Sequence, residues 1–197
     1  MVKTNINLFA EGEVVYTDGG VLAEFAWVLV VLPFIAALII TFAGKSLPLK
    51  GAEIALGTIG IIFIYSLALM YLHVTEGVAN EFFINVGNIG QFDIEFGWVV
   101  DGLSIMMYFV VGLVALLVFI YATNYMEGEI RYTFFFTSLT LFAGSMLVLV
   151  SSPTLIQILI GWELVGVCSY LLIGHYWEVK DNSSAAMKAF ITNKIAD

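Results

Sequence analysis

Four uncharged stretches divide the chain. Residues 25–44 run for 20 residues between Glu24 and Lys45, 54–75 for 22 between Glu53 and Glu76, 102–126 for 25 between Asp101 and Glu127, and 132–162 for 31 between Arg131 and Glu163. A helix rises ~1.5 Å per residue, so crossing a hydrocarbon core ~30 Å thick takes about 20 apolar residues. The first three stretches fit one span each. The fourth is too long for one and carries Ser151-Ser152-Pro153, a polar break whose proline suits a helix start. It predicts a helix over 132–150 and another over 154–177. A sixth helix opens near Ser183 and is cut off at Asp197, so the chain reads as part of a longer protein.

The segment 76–101 has a different rhythm. Phe82-Phe83-Ile84-Asn85-Val86 and Phe92-Asp93-Ile94-Glu95-Phe96 read as short strands around a Gly87-Asn88-Ile89-Gly90 turn. The fold class expected is therefore all-α integral membrane. It is a polytopic bundle of about six transmembrane helices, the last one truncated, with a short external β-hairpin between the second and third.

Composition narrows the function. Apolar residues make up 61% of the chain and charged ones 12%, with a mean hydropathy of +1.00. Too few charges remain to cover a soluble domain, and so apolar a chain is not disordered. The single cysteine excludes a disulfide framework or thiolate cluster within the chain. A net charge of −9 argues against nucleic acid. A signal peptide at 25–44 is disfavoured, because Glu11, Glu13, Asp18 and Glu24 give its flank the wrong sign. Basic residues set orientation. Lys45, Lys50, Arg131 and Lys180 fall in loops on one side, and 76–101 has no Lys or Arg. The N-terminus is expected outside, with those four residues facing the cytoplasm.

Glu163 is the sharpest chemical signal. It stands about nine residues, ~13 Å, from the start of its helix, near the midplane. An ionised carboxylate there costs a few kcal/mol, so its protonation depends on whether a cation stands close by. Proton carriers need that property; a hydrogen-bonded structural carboxyl is the plainer alternative. Gly166, Tyr170 and Gly174 share its helix face, where small residues let another helix approach. Asp181, Asn182 and Ser183 are candidate N-caps for the last helix. Lys188 lies about one and a half turns in and can snorkel to the interface. Lys194 lies ~16 Å in, at a depth similar to Glu163, and can pair with Asp197 three residues on. His73, His175 and Cys168 lack the companions of a metal site. Asp101 starts a helix, where a carboxylate suits the positive dipole end, and that reading is favoured over transport chemistry.

The run Gly161-Trp162-Glu163-Leu164-Val165-Gly166-Val167-Cys168-Ser169-Tyr170-Leu171-Leu172-Ile173-Gly174 resembles a signature of the L subunit (chain 5) family of NADH-quinone oxidoreductase, respiratory complex I. Ala185-Ala186-Met187-Lys188-Ala189-Phe190 resembles the motif that follows it, and Asp101-Gly102-Leu103-Ser104 and Tyr125-Met126 resemble the pattern upstream. The resemblance covers about 101–197; residues 1–100 match mainly in layout. It implies an N-terminal region over 1–100, with two spans and the hairpin, and the start of an antiporter-like proton-translocating domain over 101–197.

The resemblance carries over Glu163 as the midplane glutamate, Lys188 as the family's lysine and Asp197 as its aspartate. Lys194 stands where the bacterial pattern has arginine, which keeps the charge but loses the fork geometry. It further implies a subunit that couples electron transfer in partner subunits to proton translocation. This chain would hold no cofactor; flavin, iron–sulfur clusters and quinone would belong to the partners. Those partners would be other membrane subunits, especially antiporter-like ones, within a lipid bilayer, a prokaryotic plasma membrane in the first instance. The A subunit of multisubunit sodium/proton antiporters shares much of the pattern and stands as an alternative. A structural membrane scaffold is a second one.

Overall fold

The computed structural model describes residues 17–18, 20–89 and 92–196. Strand β1 (Thr17–Asp18) and a short α1 (Gly20–Glu24) lead into α2 (Trp27–Ala43), which a 3₁₀ turn, Gly44–Ser46, extends. Then follow α3 (Ala52–Glu76), β2 (Val78–Ile89), β3 (Phe92–Val100), α4 (Gly102–Tyr125), α5 (Tyr132–Ser151), α6 (Leu155–Ile173) and α7 (Lys180–Ala196). Among the described residues five helices, α2 to α6, are long and apolar enough to cross a membrane. Helix α7, described over 17 residues, carries Lys180, Asp181, Lys188 and Lys194 and is not among those five.

The apolar pattern placed these helices within a few residues of their ends. The main difference is at α6, which stops at Ile173 with Gly174 as its C-cap, the glycine N–H making the last helical bond, to Tyr170 O at 2.9 Å. Helix α7 then opens at Lys180, with Ser183 N bonded to Val179 O. Asp181, Asn182 and Ser183 therefore lie inside its first turn instead of capping it.

The hairpin is longer than its aromatic runs suggest. Residues Gly87, Asn88 and Ile89, expected in the turn, pair with Ile94, Asp93 and Phe92. A register irregularity between Asn85 and Gly87 takes up the extra residue and lets both strands continue. The expected turn residue Gly90 lies outside the described residues. β1 adds to β2 in parallel, giving the order β1-β2-β3, so among the described residues the far edge of β3 has no strand beside it.

Helix pairs α2–α5, α3–α4 and α5–α6 pack closely, and each crossing passes over a glycine. A Cβ added at Gly144 would lie 3.1 Å from the Pro33 ring, one at Gly112 3.2 Å from Phe63 Cα, and one at Gly161 3.0 Å from Leu149 Cα. Backbones approach through these gaps, as small residues permit in apolar surroundings. Phe119, Phe136, Tyr108, Ile59, Ile62 and Leu147 fill the buried centre.

At the end away from the hairpin the loops meet. Thr133 Oγ1 donates to Lys50 O at 3.0 Å. Arg131 donates to His175 O and pairs with Glu178, with Trp177 5.1 Å beneath its guanidinium. At the other end the hairpin is tied to α3 by His73 Nδ1 and Val78 O, 2.7 Å apart, and to α4 by Tyr108, whose hydroxyl donates to Val99 O at 3.3 Å.

Candidate functional site

Helix α6 begins at an N-cap, Thr154, whose Oγ1 accepts from Gln157 N at 3.4 Å. Glu163 stands eight residues after Leu155 and ten before Ile173, so it lies ~12 Å from one end of the helix and ~15 Å from the other. The sequence expects this acid near the middle of its helix, and the helix bounds place it there.

Helix α7 runs antiparallel beside α6, and matched side chains meet along the seam. A Cβ on Gly174 would lie 3.4 Å from Ala186 Cβ, and the rings of Tyr170 and Phe190 sit 5.4 Å apart. Farther along, the Lys194 ammonium forms an ion pair with the Glu163 carboxylate. Ala186, Phe190 and Lys194 are spaced by four residues and share one face of α7, which is why the three contacts line up. Lys194 Nζ also lies 5.3 Å from the centre of the Phe190 ring, a cation–π distance. The side chains of Lys194 and Glu163 are 31% and 38% exposed in this chain, so one side of the pair is open to another element.

The other sequence candidates are placed as follows. Lys188 is exposed and about 120° around α7 from Lys194, away from the seam. Asp197, expected to pair with Lys194, lies outside the described residues. Gly174 supports the close approach expected on the Glu163 face, whereas a Cβ at Gly166 would meet nothing within 4 Å. Asp101 caps α4, its carboxylate accepting from Ser104 N at 2.7 Å, which is the plain reading of that acid. Cys168 is buried, 3.9 Å from Ser145 Oγ. Among the described residues no group of three His, Cys, Asp or Glu side chains is arranged to hold a metal ion.

Two polar features escaped the sequence reading. Arg131, the chain's single arginine, gathers the α6–α7 loop by holding His175 O and Glu178. His175 is buried between Phe134, Phe135 and Tyr176. Burial, with the Arg131 charge beside it, pushes its imidazole below the ordinary value, and Glu129 opposes that. A cavity of about 400 Å³ lies next to this loop, lined by Arg131, Phe134, Tyr170, Gly174, Trp177 and Ala186. The second feature is Gln157, a buried amide in the first turn of α6 whose partner is the Gly97 backbone. Only the arginine's rarity could have drawn attention to the first. Nothing local marks the second, because its partner lies 60 residues away and has no side chain.

Comparison with known proteins gives concordant matches. Residues 87–136 match a family described as the chain 5 N-terminus of NADH-ubiquinone oxidoreductase (complex I). Residues 152–197 match one described as the transmembrane part of NADH:quinone oxidoreductase and Mrp antiporters. Similar chains include the NAD(P)H-quinone oxidoreductase subunit 5 of the Paulinella chromatophora chromatophore, 36% identical over 88% of this chain. The chain 5 protein of Synechocystis is 38% identical over 89%, and the chloroplastic subunit 5 of Chlorokybus atmophyticus is 37% identical over 88%. This chain spans about a quarter of the length of those relatives, 27% of the first two and 28% of the third. A chain of the archaeal membrane-bound sulfane sulfur reductase, a respiratory membrane complex, superposes with a TM-score of 0.70. That match is 13% identical and covers 86% of this chain and 34% of the other, so it speaks for the fold.

Proposed function

We propose, on the premise that this chain belongs to the chain 5 family of NADH-quinone oxidoreductase, that it translocates protons as a membrane subunit of a complex I-type respiratory enzyme. The observation that carries the reading is the Glu163–Lys194 ion pair, held at mid-depth between two helices and open on one side. With Lys194 close, the carboxylate keeps its charge. If Lys194 is drawn away, that charge is left in apolar surroundings and a proton neutralises it. Movement of one cation thus loads and unloads one proton, with no redox group in this chain. Lys188, at the middle of α7, and Asp197 are the further charges assigned to this route.

In this reading residues 1–100 form an N-terminal region and 101–197 open the translocating domain; the family match over 152–197 falls within the second, and the match over 87–136 runs across the boundary. Flavin, iron–sulfur clusters and quinone belong to partner subunits, and the neighbours in the membrane include other antiporter-like subunits. The chain sits in a prokaryotic plasma membrane in this reading, with its N-terminus outside; the lack of Lys and Arg in 76–101 supports the orientation. A second reading, the A subunit of a sodium/proton antiporter, is favoured by one observation: the family matched at 152–197 includes such antiporters.

The test is Glu163→Gln in the full-length protein within its complex. Proton pumping driven by electron transfer is expected to fall at least tenfold, with assembly intact. Unchanged pumping overturns the assignment. Loss of assembly favours a scaffold, and proton movement driven by a sodium gradient without electron transfer favours the antiporter.

A further inference from the structure

The hairpin and the helix that bears Glu163 are joined at one residue. Gln157 is 6% exposed and lies in the first turn of α6. Its Nε2 donates to Gly97 O at 2.8 Å and its Oε1 accepts from Gly97 N at 2.9 Å. One side-chain amide therefore satisfies one backbone unit of β3, as the next strand would on that free edge. The partner is fixed in turn. A Cβ at Gly97 would fall on the Phe82 carbonyl, so β3 runs hard against β2 at this point. Beside it, Thr154 Oγ1 donates to Glu95 O at 3.1 Å.

We propose that Gln157 is a positioning residue, whose amide seats α6 on the hairpin and sets the depth at which Glu163 meets Lys194. This inference rests on Glu163 being the proton site. An apolar side chain in this first turn would fill the space but leave α6 free to slide along its axis. A two-way amide pair resists this, because drawing α6 about 1 Å away from β3 lengthens both bonds beyond hydrogen-bond distance. Glu163 is six residues on, ~9 Å along a continuous helix, so axial displacement at Gln157 reaches it undiminished. The hairpin and the carboxylate then move together, and a force on the hairpin from outside changes the separation of the ion pair.

The experiment uses the full-length protein in its complex and measures protons moved per electron as a function of external pH. Gln157→Met keeps the length and removes both bonds; a fall of about tenfold is expected, the size of effect that small misplacements cause. Gln157→Glu separates positioning from packing. Its protonated carboxyl donates to Gly97 O and accepts from Gly97 N, whereas the ionised form cannot donate and faces the carbonyl. The Glu variant should therefore approach the parent at low pH and decline toward the Met variant as pH rises, while parent and Met variant keep a constant ratio. Glu163→Gln is run alongside. If it leaves pumping unchanged, the proton-site reading fails. If it abolishes pumping while both Gln157 variants match the parent at every pH, the positioning proposal fails alone. Failure of both Gln157 variants to assemble at any pH overturns it too, since the amide is then needed for folding only.

Discussion

Glu163 and Lys194 could be singled out from the sequence alone, because each is a charge well inside a predicted helix of an apolar chain. Their joining was legible only in outline. Equal depth on neighbouring antiparallel helices allows the pair, but the seam that forms it depends on Gly174, Ala186, Tyr170 and Phe190 fitting together. Lys188 carries the same charge and was marked by the same resemblance, yet lies off that seam. The ion pair has a consequence for substitution. Its two side chains are about a third exposed in this chain, but in the proposed setting that open side faces lipid or another element instead of water, so a carboxyl left without Lys194 takes up a proton and stays neutral. Lys194→Met should therefore leave folding nearly unchanged and lower proton pumping at least tenfold. Lys194→Arg, which keeps the charge, should retain more than half. Pumping and thermal unfolding of the purified complex check both, and equal pumping by the Met and Arg variants would show that the charge is immaterial.

At the scale of elements, hydropathy located the spans and missed what holds them together. A glycine inside an apolar run reads as one more small residue. Which ones lie at a crossing depends on helix rotation, and that is set by partners far away in sequence. Gly166 and Gly161 illustrate the difference: both lie on α6 near Glu163, and Gly166 was the one singled out. A Cβ at Gly161 would stand 3.0 Å from the Cα and N of Leu149, backbone that cannot turn aside, whereas one at Gly166 meets open space. Gly161→Leu should force α5 and α6 apart and cost about 1–3 kcal/mol or more, the range of overpacked cores. Gly166→Ala should be neutral or stabilise by up to ~1 kcal/mol through helix propensity. Thermal unfolding in detergent, both variants against the parent, distinguishes them. The hairpin teaches a similar lesson. Its aromatic runs gave the strands, but the glycine and asparagine read as a turn are absorbed into the ladder by the irregularity at Asn85 and Gly87. A turn signal marks where a chain can reverse, and the strand pairing decides where it does.

For the whole molecule, the helices sort charge between two ends. The loops carrying Lys45, Lys50, Arg131 and Lys180 converge at one end, linked by Thr133 to Lys50 and by Arg131 to the α6–α7 turn. The hairpin end holds acids and no Lys or Arg between 76 and 101. Basic residues resist translocation, and on that ground we propose the converged end inside and the hairpin outside. This bears directly on the coupling argued for Gln157, since a hairpin on the inner side would meet different neighbours and a different pH. Val86 lies on β2 and is 65% exposed, and Lys45 is exposed at the opposite end. The native Cys168 is buried within α6 and should not react. In whole cells a membrane-impermeant maleimide should therefore label Val86→Cys in the full-length protein, while Lys45→Cys should label only after permeabilisation. The reverse pattern would invert the bundle and put the hairpin in the cytoplasm. The depth proposed for Glu163 is the same in either case, because a residue at the middle of its helix is nearly equidistant from both ends. What inversion would change is the compartment on which the hairpin reports, and with it the side from which the pH dependence of Gln157→Glu must be read.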